Sequence, residues 1–166
     1  IIFNRNNYQF FTEHMNHEAK TRLTREVNLK QAVKNKEFFN LYQPIVNAHT
    51  GKAVGVELLM RWQTNEGVVS PIHFINLAEE LGLIIKMTET AMKQGLNDLL
   101  NWRNIRKDFY LSVNISARHF IKPDVVNFIA KLLEKFQLPA DALKLEVTES
   151  AFITEPEVAI NNLKQL

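Results

Sequence analysis

Cysteine is absent from this chain of 166 residues. That excludes disulfides, thiolate zinc sites and a cysteine nucleophile at once, and it is compatible with a reducing, intracellular setting. Glycine is scarce: Gly51, Gly55, Gly67, Gly82 and Gly95 are too scattered for a phosphate-cradling P-loop or a dinucleotide fingerprint. No serine stands in a nucleophile elbow. His17-Glu18 is not followed by a second histidine at Thr21, so the zinc-protease helix is missing. His14 and His17 fall in a helical arm and are expected to be solvated; His49, His73 and His119 lie near turns or helix starts and take no assigned role. No apolar run approaches a membrane span, and the N-terminus lacks the layout of a signal peptide.

What is present suits a globular core, since 46% of the residues are hydrophobic. The net charge of +2 is unevenly spread: residues 1–40 hold seven Lys/Arg and four Asp/Glu, the remainder thirteen and fourteen. The basic excess sits in an N-terminal arm without the density of a polybasic patch, so a solvated face is expected rather than a surface for a nucleic-acid polymer. The chain opens on Ile1 and stops within a helical pattern, and is expected to be a piece of a longer protein.

Strand and helix alternate. Ile1 to Phe3 and Tyr8 to Phe11 are strand-prone around an Asn6-Asn7 turn, and His14 to Lys36 is helical, with Ala19, Leu23, Val27 and, off register, Leu29 and Val33 as a stripe. That helix is expected to link two domains. A strand opens at Phe38 and ends at Pro44 or shortly after it; a second spans Ala53 to Trp62, followed by a polar turn at Gln63 to Gly67. Ser70-Pro71 signals a helix start with the hydroxyl as cap, and two helices follow, broken near Gly82. Further strands cover Phe109 to Ser116 and Leu143 to Glu149, with helices opening at Pro123 and Pro156. This order implies parallel strands with crossovers, apolar on both faces. The fold class expected is α/β, a partial (β/α)8 TIM-like barrel: a whole one takes about 250 residues, and roughly half of that follows the arm.

Three of these strands carry an oxygen ligand where an apolar residue belongs: Glu57, Asn114 and Glu146. A carboxylate inside a protein is costly unless it is paired or bound to a metal. An all-oxygen set suits a hard cation, Mg²⁺ or Mn²⁺. Each residue also has a plain structural explanation. Glu57 can pair with Arg61 and Glu146 with Lys144, each on the same strand face, and Asn114 can bond backbone at a strand end. Recurrence on three successive strands favours the metal. Arg61, one pleat above Glu57, suits a phosphate oxygen.

Five blocks then carry a family resemblance: Tyr42-Gln43-Pro44-Ile45-Val46, Gly55-Val56-Glu57-Leu58-Leu59-Met60-Arg61-Trp62, Phe74 to Ile84, Ser112-Val113-Asn114-Ile115-Ser116 and Leu145-Glu146-Val147-Thr148-Glu149-Ser150. In order and local context they resemble the first half of an EAL domain, over roughly residues 25–166. The resemblance implies a modified barrel that hydrolyses cyclic di-GMP to linear pGpG with Mg²⁺ or Mn²⁺, in bacterial cytoplasm and as a homodimer. It implies Glu57, Asn114 and Glu146 as metal ligands, Glu57 and Glu146 being catalytic. Gln43 and Arg61 become substrate contacts, and Glu149 the anchor of a loop that couples the site to dimerisation. Leu58 replaces the alanine of the signature tripeptide; it faces away from Glu57, so the change is expected to be harmless.

The family's later motifs, a pair of aspartates, a lysine, and acidic and glutamine residues, are missing from this sequence, which ends before the places where the family carries them. The chain is therefore expected to be a truncated domain, inactive by itself. Asn4 to Phe11 resembles the last strand of a GGDEF domain, which divides the chain into a strand remnant at 1–13, a linker helix at 14–36 and the truncated EAL domain at 37–166. The alternative is an inactive receptor for cyclic di-GMP, or a protein-interaction module, on the same scaffold.

Overall fold

A computed structural model describes the backbone of residues 13–166 and the side chains of residues 20–166. The strands expected at Ile1–Phe3 and Tyr8–Phe11, and with them the GGDEF-like remnant, lie outside the described residues. Helix α1 (Glu13–Asn35) leads into strand β1 (Phe38–Val46) through Lys36, which closes the helix at φ 59°. The expected stripe does not pack as one face. Leu29 and Ala32 are buried and Val33 packs beside them against Phe74 and Phe38, while Leu23 and Val27 are exposed. At about 100° per residue, Leu29 lies on a different side of the helix from Leu23. α1 thus ends as a packed helix of the domain, and an Arg22–Glu80 bridge of 2.8 Å ties it to helix α2 (Ile75–Glu80).

Strands β2 (Ala53–Thr64), β3 (Gly67–Val69), β4 (Tyr110–Ile115) and β5 (Leu143–Val147) complete a five-stranded sheet in the order β1-β2-β4-β5, with β3 on β2. β2, β4 and β5 are parallel, as expected. β1 is not; it runs antiparallel to β2. The physical reason is the short connection at 47–52, since a parallel crossover needs about a dozen residues. Asn47 Oδ1 builds that turn, accepting from the backbone N–H of His49 and Thr50 at 3.0 Å each. Pro44 is tolerated within β1 because β1 lies at the sheet edge. The polar turn expected after Trp62 is a hairpin that adds β3.

Helices α3 (Ile84–Ile105), α4 (Ala117–Phe120), α5 (Val125–Phe136), α6 (Ser150–Thr154) and α7 (Pro156–Gln165) complete the order. A 3-10 turn at Pro71–His73 precedes α2, and Ser70 makes no side-chain cap bond, contrary to expectation. The serine that caps is Ser116, whose Oγ accepts from His119 N at 3.3 Å to open α4. The main core lies between helices and sheet: Val56, Leu58, Leu111, Val113 and Ile115 meet Met92, Leu96 and Leu99 of α3, with Ile129 and Leu132 of α5. Gly95 brings α3 close, because a Cβ there would stand 2.8 Å from both Leu58 and Leu111 side chains. Leu58 points into this core, away from Glu57, and fills the room Gly95 leaves.

The opposite face of the sheet is not apolar, which corrects the expectation of strands buried on both sides. Gln43, Asn114, Lys144 and Glu146 are exposed there. Period-two alternation puts every second residue of β2, β4 and β5 on this face, and no helix of the described residues covers it.

Candidate active site

The register of the sheet decides which side chains meet. Gln43 stands opposite Glu57, Glu57 opposite Ser112, and Asn114 opposite Glu146. All five therefore share the open face. Glu57 lies within the stretch of β2 that pairs with β4, Gly55 to Leu58, whereas Asn114 and Glu146 sit one residue from the C-terminal ends of their strands. Glu57 is half-buried; Asn114 and Glu146 are exposed. The three expected ligands are thus brought together on neighbouring strands, yet none is enclosed: the Glu146 carboxylate meets solvent and Glu57 is only partly withdrawn from it, so the cost of burying charge is small.

Two hydrogen bonds cross the strands on the diagonal. Asn114 Nδ2 donates to Glu57 Oε1 at 2.7 Å. Ser112 Oγ donates to Glu146 Oε1 at 2.5 Å. Neither plain explanation for the carboxylates holds: Arg61 donates to the carbonyl of Met60 at 2.9 Å, and Lys144 sets its ammonium 3.6 Å from the centre of the Tyr110 ring. Asn114 bonds a side chain rather than backbone. Tyr110 lies over Gly55, where a Cβ would come 2.7 Å from the Tyr110 carbonyl oxygen. Gly55, Tyr110 and Lys144 together form a floor below the carboxylates.

The donor set fits a hard cation by its chemistry. Among the described residues no three His, Asp or Glu side chains cluster as metal ligands; the set is two carboxylates and an amide. With Nδ2 committed to Glu57, the oxygen of Asn114 remains as a neutral donor, and Glu57 and Glu146 each keep one carboxylate oxygen outside these bonds. Hard cations select such oxygen sets. Arg61 lies further along β2, opposite Phe39, on the Glu57 face. Glu149 stands apart: it immediately precedes α6, is exposed, and makes no side-chain hydrogen bond among the described residues. Ser112 escaped sequence reasoning. A serine among apolar strand residues carries no signal by itself; only its register against β5 reveals its place.

Comparison with known proteins bears on this arrangement. The EAL domain profile matches residues 26–166. The bifunctional diguanylate cyclase/cyclic di-GMP phosphodiesterase MucR of Pseudomonas aeruginosa is 33% identical over 164 residues, 98% of this chain. The chain spans 24% of that relative's length, and between about a fifth and a half of other curated relatives. Among solved structures, the EAL enzyme Bd1971 bound to cAMP and cyclic di-GMP superposes with a TM-score of 0.82 at 35% identity, covering 89% of this chain and 42% of that one. The MucR phosphodiesterase in complex with cyclic di-GMP gives 0.78 at 30% identity, covering 86% and 58%. No helix of the described residues is long and apolar enough to cross a membrane.

Proposed function

This chain belongs to the EAL domain family, and we propose that its full-length parent hydrolyses cyclic di-GMP to linear pGpG with Mg²⁺ or Mn²⁺. The observation that carries this reading is the placement of Glu57, Asn114 and Glu146 on one open face of three successive parallel strands, with an unspent oxygen on each. Relatives whose names and structures carry cyclic di-GMP phosphodiesterase activity support the substrate.

Glu57, Asn114 and Glu146 would hold the cation, which when bound supplies Lewis-acid neutralisation of charge on the phosphoryl oxygens. Asn114 fixes the rotamer of Glu57 through the 2.7 Å bond, so the carboxylate is oriented before any ligand arrives. Arg61 contributes a guanidinium whose planar fork matches phosphate oxygens. Gln43, level with Glu57 on the edge strand, offers amide groups to the substrate. Glu149, which immediately precedes α6, is taken as the anchor of a loop that couples the site to a homodimer in the parent. Residues 1–13 are taken as the end of a GGDEF domain and residues 14–36 as the linker helix, whose last turns from Leu29 on pack against the EAL domain at 37–166 and fall within the family match that starts at residue 26, in a bacterial cytoplasmic signalling protein.

The test is product analysis on the full-length parent. With Mg²⁺ or Mn²⁺ present, cyclic di-GMP should disappear as pGpG accumulates, and a chelator should stop the conversion. Tight binding of the dinucleotide with no hydrolysis under either cation would favour a receptor instead.

A further inference from the structure

Ser112 is 2% exposed and, among the described residues, carries the one hydroxyl on the sheet's open face that bonds a candidate ligand. A hydroxyl out of water costs free energy unless bonded, and an alanine would fill the same strand position without that demand. The bond it makes, 2.5 Å to Glu146 Oε1, lies in the short range of hydroxyl-to-carboxylate hydrogen bonds. The strand register shows what this bond does. Glu57 is level with Ser112, whereas Glu146 is level with Asn114, two residues further along the sheet. At about 3.3 Å per residue, the two carboxylates start from levels several ångströms apart. The Ser112 bond runs diagonally back along β5 and draws the Glu146 carboxylate toward the level of Glu57. Asn114 ties Glu57 from the other diagonal.

We propose that Ser112 is a positioning residue for the cation site: its hydroxyl holds Glu146 Oε1 so that the remaining oxygen faces the same point as Glu57 and Asn114. This rests on the reading of Glu146 as a ligand. Ser112 itself does not touch the cation or substrate; it acts through Glu146. Removal of such an outer hydrogen bond typically weakens metal affinity about 10- to 100-fold.

The experiment is a Mn²⁺ titration followed by loss of the free-ion electron paramagnetic resonance signal, on the full-length parent with no substrate present. Ser112→Ala and Ser112→Cys both remove the strong donor, the cysteine while keeping most of the volume; Ser112→Thr keeps a hydroxyl. Metal-free melting identifies which variants fold as the parent does. Both donor-less variants should bind Mn²⁺ about 10- to 100-fold more weakly with an unchanged metal-free melting temperature, and Ser112→Thr should bind near the parental affinity. Parental affinity in a folded Ser112→Ala or Ser112→Cys protein overturns the positioning role. Glu146→Gln separates the two claims: it should lose binding, and if it binds Mn²⁺ like the parent, the ligand assignment fails irrespective of Ser112.

Discussion

His119 is 2% exposed, and its Nδ1 has no hydrogen-bond partner, while Nε2 stands 4.0 Å from Glu89. Burial pushes its pKa below the ordinary histidine value of 6.5; Glu89 and Asp124 oppose the shift, and Lys122 adds to it. A histidine whose folded pKa is lowered binds more protons when unfolded. Its neutral form therefore stabilises the fold above the unfolded pKa, and that stability is lost as pH falls through the folded value. The melting temperature should decline between pH 7 and pH 5, and His119→Gln should flatten the decline; an equally steep decline in the variant would rule this histidine out as its source. At this scale the sequence was informative where chemistry clashed with pattern. Glu57, Asn114 and Glu146 stood out because they interrupt apolar strands. Ser112 and His119 did not, because a serine in a strand or a histidine near a helix start becomes unusual only once its neighbours are known.

Strand β2 illustrates what elements add. Gly55 lies where Tyr110 crosses it, and a Cβ would meet the Tyr110 carbonyl at 2.7 Å, a backbone atom that cannot swing aside. Gly55→Ala should therefore cost about 1–3 kcal/mol in urea unfolding, despite the usual gain from replacing glycine in a strand. A neutral or stabilising result would mean that β2 and β4 are not this close. The periodic elements were legible from alternation and helical spacing, including the parallel set of β2, β4 and β5. The antiparallel β1 also has a signal in the sequence, since the connection at 47–52 is too short for a crossover. The packed face of α1 is not legible in the same way. Leu23, Val27 and Leu29 all look apolar in sequence, but only the phase relative to Phe38 and Phe74 decides which of them is buried.

For the whole molecule, the sheet's openness matters most. Among the described residues β5 is a parallel edge with no further partner, and Ile153, Ile160 and Leu163 of α6 and α7 are exposed. Unpaired edges and exposed apolar side chains favour association. Residues 1–166 by themselves should self-associate in light scattering and form no pGpG; a pure monomer that turns over cyclic di-GMP would refute this. The parallel order of β2, β4 and β5 was legible in the alternation of strand and helix, and the half-barrel in the length that follows the arm; the shared face of the ligands rests on register, and its exposure on what covers the sheet, neither of which strand patterns state. The central claim is that Glu57, Asn114 and Glu146 form one cation site for phosphodiester hydrolysis. It is tested most directly by the rate of pGpG formation by the full-length parent and its Glu57→Gln variant under saturating Mn²⁺. The parent should be active and the variant reduced to background with its melting temperature preserved. Parental turnover in Glu57→Gln would contradict the account.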